Sequence, residues 1–327
     1  MTSTAFANAG RRVAVLVGIT NYSRGDNNGR LGDLPYTVND LLAVRSALLG
    51  AGFKPEDIAI YIDSSEPLPD DADGNEIGFS ELTRGDAVEV VRRIRDLAQE
   101  KASDAADTLV VYFTGHGASR GANRYFALRN SLFDWVDSFV SIDAVLAALG
   151  EVSAARKVII GDMCATGLIS AVNPGTVVTA QHVNADQMYS SKLGTVSRFD
   201  NVLHKSVYTH YLVEGLRNAD RPPDGDADSE VTTYELNRYL KRRVPKHVVG
   251  SYAADRERRK LPPDLIARME SPDTQIPDFD MEGDVVLVET AGECADHDRR
   301  PDESEEDHKN RVDRCFARFA KPQRGEP

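Results

Sequence analysis

The sequence predicts an α/β fold, a mostly parallel six-stranded sheet with helices on both faces. Three observations predict it. Apolar, β-branched runs recur at Arg12–Gly18, Ile58–Ile62, Asp107–Phe113 and Lys157–Ile160, short and apolar throughout, as strands buried on both faces are. Segments of helical spacing lie between them, so the order reads β-α-β-α-β-α-β, which folds as one sheet covered by crossover helices. Glycine-flanked polar residues end the runs abruptly, as sharp exits from strands do.

Each element has its own justification. Arg12–Gly18 reads as a central strand, and Asn21–Pro35, rich in Gly, Asn and Asp, as a loop. Thr37 or Asn39 is expected to cap a helix to about Leu49, with Leu41, Leu42, Val44, Ala47 and Leu48 at helical spacing and Gly50 and Gly52 ending it. Residues 63–83 read as an acidic surface insertion. Gly85–Lys101 has the helical period, and residues 118–138 read as a loop. Ser141–Leu149 is expected to be helical. Gly175–Ala180 reads as the fifth strand, 181–205 as irregular, and Ser206–Leu216 and Thr233–Arg243 as helices. Residues 250–283 read as a loop and Asp284–Glu289 as the last strand. The expected organisation is a disordered N-terminus at 1–11, one domain over 12–290 divided near 167 and 175, and a charged tail over 291–327.

The chain has 327 residues, 41% of them hydrophobic, enough to bury a substantial core. Its net charge of -13, from 52 acidic and 39 basic side chains, argues against a nucleic-acid-binding surface and suits a site that attracts cations. The 3 cysteines are widely spaced and form no disulfide framework, which favours a reducing compartment. Residues 1–11 show no apolar segment of signal-peptide type, and no apolar run reaches membrane-spanning length. A cytoplasmic protein with no membrane or nucleic-acid partner is expected.

Two segments carry chemistry. Leu109-Val-Val-Tyr-Phe-Thr-Gly-His116-Gly ends a strand in histidine, and Val158-Ile-Ile-Gly-Asp-Met-Cys164-Ala-Thr-Gly ends one in cysteine. Reactive groups in a parallel sheet collect at the carboxyl ends of strands. Adjacent strands would bring imidazole and thiol together as a nucleophile with its general base. Either residue alone reads better as a buried cysteine or a satisfied loop histidine.

Further segments complete a pattern. Val13-Ala-Val-Leu-Val-Gly-Ile-Thr-Asn-Tyr22, Leu34-Pro-Tyr-Thr-Val-Asn-Asp40-Leu, Phe113-Thr-Gly-His116-Gly and Gly161-Asp162-Met-Cys164-Ala-Thr-Gly167 come in order. They are followed by Ser206-Val-Tyr-Thr-His-Tyr-Leu-Val-Glu-Gly-Leu216 and Val231-Thr-Thr-Tyr-Glu-Leu-Asn-Arg-Tyr-Leu240. Together they resemble the caspase-like cysteine peptidases, in particular the metacaspase and prokaryotic branch, over roughly residues 12–290. The resemblance implies a cysteine endopeptidase acting on protein substrates, with Cys164 as nucleophile and His116 as general base and acid. It implies an oxyanion hole from the Gly117 and Cys164 amides, and no cofactor for the chemistry. Aspartate-cutting caspases carry Gln-Ala-Cys where this chain reads Asp162-Met163-Cys164. A carboxylate there attracts a basic P1 side chain, and the resemblance places Asp40, Thr114 and Asp162 in that pocket. Asp40 alone is read equally well as a helix N-terminal acid.

Other readings stay open. Asp224, Asp226, Asp228 and Glu235 fit a calcium loop with Ser229 in place of its glycine, while Thr232-x-x-Glu235 is also a capping box. Cys294, His297, His308 and Cys315 match no established zinc spacing, and Val312, Cys315, Phe316 and Phe319 mark an apolar helical stripe instead. Leu168–Pro174 holds no Arg or Lys, so any maturation cut is expected in the flexible stretches 118–131 or 192–205. No recruitment domain is recognised before residue 12, so an upstream activating protein would act on surface or tail. A bacterial defence or regulated-death role follows by analogy alone. A catalytically idle scaffold and a calcium-regulated binding module are the alternatives.

Overall fold

Strands buried on both faces need apolar side chains in both directions, and the central strands have them. The structure of the protein, a computed structural model, describes residues 10–22, 31–63, 68–70, 77–78, 80–81, 86–105, 107–165, 183–228, 230–259 and 275–289. The elements run β1 (Arg12–Ile19), α1 (Thr37–Gly50), β2 (Ile58–Asp63), β3 (Ser80–Glu81), α2 (Ala87–Lys101), β4 (Thr108–Gly115), β5 (Gly117–Arg120), β6 (Asn123–Ala127), β7 (Phe139–Ser141), α3 (Ile142–Leu149) and β8 (Arg156–Met163). They continue as β9 (Asp186–Tyr189), β10 (Phe199–Asp200), β11 (Lys205–Ser206), α4 (Val207–Asn218), β12 (Glu230–Thr232), α5 (Thr233–Arg259), β13 (Asp278–Asp280) and β14 (Val286–Glu289).

The fold is the expected α/β class. The central sheet has the order β13-β9-β8-β4-β1-β2-β3. Six strands are joined at one edge by the two-residue β3, and only β13 runs antiparallel to its neighbour. Val13, Val15, Val17, Leu109, Val111 and Phe113 pack on one face with Val90 and Ile94 of α2 and Val145 and Leu149 of α3. Ala14, Leu16, Val110, Tyr112, Val158 and Ile160 pack on the other with Leu41 of α1, Leu212 of α4 and Leu236 of α5. Each such buried aliphatic side chain contributes roughly 1.5–3 kcal/mol.

Several expectations change. The strand expected at Gly175–Ala180 lies outside the described residues, and β9 occupies the place beside β8. β9 begins Asp186-Gln187, too polar and short to stand out. β14 pairs with β12 and not with the central sheet. The stretch 118–131 expected to be flexible holds most of the antiparallel sheet β5-β6-β7. Its Arg124 is buried, with Nη1 donating to the Ser191 carbonyl and Nη2 paired with Asp278 at 2.6 Å. The stretch 192–205 holds the β10-β11 hairpin. Neither Thr37 nor Asn39 caps α1: the helix begins at Thr37, so both lie inside it and Tyr36 holds the cap place without a side-chain bond, while Asn39 Nδ2 donates to the His204 carbonyl at 2.9 Å. α5 passes Arg243 and Pro245, since Val244 and Val248 are buried in the core and their packing outweighs the proline. Among the described residues, no helix is long and apolar enough to cross a membrane.

Candidate active site

β4 and β8 pair in parallel, with Thr114 opposite Asp162 and Gly115 opposite Met163. His116 and Cys164 are the next residues, so the register sets them at adjoining strand ends. Gly117 then backs onto Cys164 so closely that a Cβ there would lie 2.3 Å from the Cys164 carbonyl oxygen. Only glycine admits that approach.

His116 is fixed on several sides. Its amide donates to the Tyr22 hydroxyl at 2.9 Å, and that hydroxyl donates to the Ala127 carbonyl at 3.1 Å. The Tyr22 ring meets the imidazole edge-on, with centroids 4.6 Å apart. Imidazole Nε2 lies 2.9 Å from the Gly32 carbonyl oxygen. A carbonyl only accepts, so this contact assigns the proton to Nε2 and leaves the lone pair on Nδ1. Burial lowers the His116 pKa, and the Gly32 carbonyl offsets this only in part.

Cys164 is half-buried. The Ser197 amide donates to its Sγ at 3.3 Å, and Sγ lies 3.7 Å from the Ser197 carbonyl. Beyond it, the Ala165 carbonyl accepts from Ser119 Oγ at 2.7 Å and from the Gly194 amide at 2.8 Å, which pins the turn. Burial pushes the thiol pKa up; the Ser197 amide and Arg198 pull down, Asp162 adds to the rise, and the net direction is upward. Burial thus shifts the imidazole down and the thiol up, disfavouring charge on both.

Two carboxylates sit beneath. Asp162 Oδ1 accepts from Ser197 Oγ at 2.8 Å and Oδ2 from Thr209 Oγ1 at 2.6 Å. Because Thr209 donates there, it accepts from the Tyr112 hydroxyl, also at 2.6 Å. Asp40 Oδ1 accepts from the Ser206 amide at 3.0 Å, while its buried Oδ2 has no hydrogen-bond partner among the described residues. Thr114 is fully buried opposite Asp162. Burial raises Asp40 well above the carboxylate range, and the Asp162 charge adds to it. Burial raises Asp162 too, against the pull of the Ser206, Thr209, Ser197 and Ser190 hydroxyls. Burial and mutual repulsion thus disfavour charge on both acids, an arrangement that marks a candidate binding site.

His116, Gly117, Cys164, Thr114, Asp162 and Asp40 therefore lie in one region, the first five on or just beyond β4 and β8. The sequence reading did not single out the groups that orient them: Tyr22, Gly32, Ser197, Ser206 and Thr209. Only Ser206 carried a signal, as the residue opening an apolar helical run. Its side chain caps α4 by accepting from the Tyr208 amide.

The acidic turn is arranged differently from the calcium-loop reading. Asp224 forms an ion pair with Arg242. Glu235 accepts the Thr232 amide at 2.9 Å and the Asp226 amide at 3.2 Å, and its own amide donates to Thr232 Oγ1 at 3.3 Å, a reciprocal capping box. Asp226 and Asp228 instead converge with Asp220, their oxygens within 4.8 Å of one another. The tail residues Cys294, His297, His308, Val312, Cys315, Phe316 and Phe319 lie outside the described residues.

A caspase-domain profile matches residues 11–263, most of the chain and all of the strand ends described above. The chain belongs to the caspase-domain family. Family membership makes it a member of a cysteine-type peptidase family, whose substrates are proteins. Among solved structures, this caspase domain is similar to caspase-1 from Spodoptera frugiperda, with a TM-score of 0.50 and 14% identity over 86% of this chain and 92% of that one. It is also similar to the protein GSU0716 from Geobacter sulfurreducens, with a TM-score of 0.47 and 12% identity over 83% and 92% of the two chains. At such identities the caspase-1 likeness shows the fold alone. No curated protein matches the chain.

Proposed function

We propose that this caspase domain is an endopeptidase of the metacaspase type that cuts protein substrates after Arg or Lys. The observation that carries the reading is the pair of buried carboxylates beside a half-buried cysteine, with Asp40 Oδ2 lacking a hydrogen-bond partner among the described residues. A guanidinium or ammonium entering from P1 would supply the missing partner. A charge-assisted bond of this kind is worth roughly 1.5–3 kcal/mol, enough for tenfold or greater discrimination.

In the mechanism, His116 Nδ1 takes the Cys164 thiol proton and Sγ attacks the scissile carbonyl carbon. The Gly117 and Cys164 amides receive the oxyanion. The C–N bond breaks, His116 returns its proton to the leaving amine, and water hydrolyses the thioester. Because burial disfavours charge on both groups, proton transfer to His116 accompanies the attack. Thr114 shapes the pocket wall beside Asp162. The substrate lies extended along the strand ends, as peptides at sheet edges do. The chemistry requires no cofactor, and calcium remains a separate question for the acidic turn. A cytoplasmic location, an upstream activating protein and a role in bacterial defence or regulated death belong to the same proposal. The test is a peptide library incubated with wild type and Cys164→Ala, with cleavage sites read by mass spectrometry. Cuts after Arg and Lys that vanish in the variant support it, and acidic P1 residues would refute it.

A further inference from the structure

The β10-β11 hairpin carries a site contact at each end. Ser197, just before it, gives its amide to Cys164 Sγ and its hydroxyl to Asp162. Ser206, its last residue, gives its amide to Asp40. The hairpin itself is short, pairing only Phe199 with Ser206 and Asp200 with Lys205. Its turn holds His204 at a φ of 49°, a left-handed conformation costly for a residue with a side chain. Such a segment keeps its shape only where neighbours hold it.

Neighbouring contacts do so. On the α1 side, Tyr36 Oη donates to Asn201 Oδ1 at 3.1 Å and Asn39 Nδ2 to the His204 carbonyl at 2.9 Å. The segment entering the hairpin is held where the Val207 amide of α4 donates to the Arg198 carbonyl at 2.9 Å and the Arg198 amide donates to Gln275 Oε1 at 3.1 Å, and on the α4-α5 side His247 reaches the turn itself. His247 Nε2 lies 2.9 Å from Asp200 Oδ2, and its Nδ1 lies 3.1 Å from Tyr211 Oη. The other oxygen of Asp200 accepts the Val202 and Leu203 amides at 2.7 and 3.0 Å, closing the turn. Asp200 thus ties the turn to the helix pair through a single imidazole. With Tyr211 donating to Nδ1, Nε2 carries the proton and donates to Asp200.

We propose that His247 is a positioning residue for the active site, holding Asp200 and with it the hairpin that sets the Ser197 amide on Cys164 Sγ and the Ser206 amide on Asp40. The consequence for cleavage rests on the peptidase reading above, but the consequence for the thiol does not. The Ser197 amide favours the thiolate, with Asp162 opposing and Arg198 assisting. Loosening the hairpin should weaken that hydrogen bond.

The experiment measures Cys164 alkylation by iodoacetamide against pH, resolved by peptide mass spectrometry, in wild type, His247→Leu and His247→Gln. Gln can return a donor to Asp200, and Leu cannot. His247→Leu should move the profile to higher pH and slow alkylation at neutral pH about tenfold, the weight of one hydrogen bond to a charged group. His247→Gln should restore most of it. If His247→Leu fails to fold, His247→Phe serves instead, since it keeps a ring in place and removes both nitrogens, and the same shift is expected. An unchanged profile in the folded variant would overturn the proposal. So would a shift in Leu that Gln does not reverse. A shifted and rescued profile in a protein that cuts no peptide would support the positioning role while refuting the peptidase reading.

Discussion

The site is built from two kinds of backbone. One half, Thr114, His116, Asp162 and Cys164, sits on or just beyond two parallel strands at the centre of the sheet. The other half, Gly32, Ser197 and Ser206, belongs to loops and a two-residue-per-strand hairpin. The first half supplies the groups proposed to react and an acid beside them. The second supplies no reacting side chain, but it orients the imidazole, touches the thiol and holds both carboxylates. The difference teaches that a rigid sheet can fix where chemistry happens while weaker, irregular segments fix its proton positions.

The largest effects should come from the strand half. Cys164→Ala and His116→Ala should each lower peptide cleavage by roughly 10³-fold or more, while circular dichroism stays that of wild type. Cys164→Ala cutting at a comparable rate would show that the strand ends are not the reacting half.

The pocket acids come next, and Asp40 predicts opposite signs for stability and activity. Asp40 has a folded-state pKa raised above its unfolded value. Its contribution to stability is therefore fully present below about pH 4, its unfolded value, and lost as pH rises through the raised one. Asp40→Asn should thus melt higher than wild type at neutral pH, by roughly 2–4 °C for each kcal/mol relieved, yet lose tenfold or more in kcat/KM on Arg substrates. A variant both less stable and equally active would contradict the reading of a cation pocket. Asp162→Ala should likewise lose far more activity than stability, assayed by the same two measurements.

A smaller effect sharpens the role of the loop half. Burial lowers His116 from its ordinary value of 6.5, so the imidazole stays a base into mild acid. The acid limb of kcat/KM should have its midpoint below pH 6.5. A midpoint above it would point to an imidazolium stabilised by a group other than the Gly32 carbonyl. The smallest effect should come from chelation. The proposed cysteine chemistry uses no metal, and Glu235 is engaged in its capping box. Chelator should reduce activity partially at most. Complete loss restored by calcium alone would make the acidic turn part of the mechanism.

The same division explains what was legible in the sequence. His116 and Cys164 stood out because a long apolar run ending in a glycine-flanked polar residue fixes both strand and exit. Parallel register then set them at adjoining ends. Asp162 came with Cys164, and Asp40 with the start of α1. Gly32 left no trace, since it acts through a backbone carbonyl that any residue possesses, and Ser197 none, since a lone serine in an irregular stretch carries no pattern. β9 was missed because four residues beginning Asp-Gln carry no strand period, and burial of Met188 and Tyr189 against the sheet is a tertiary effect. α5 was cut short because proline normally ends a helix, whereas Val244 and Val248 pack well enough to carry it onward.

The central claim is that buried acids beside a strand-end cysteine select a basic P1 residue. A cleavage-site profile of wild type on a peptide library, with Cys164→Ala as control, tests it most directly. The account predicts Arg and Lys at P1 in nearly all wild-type cuts and none in the control. A profile led by Asp or Glu at P1, or cuts that survive in the control, would contradict it.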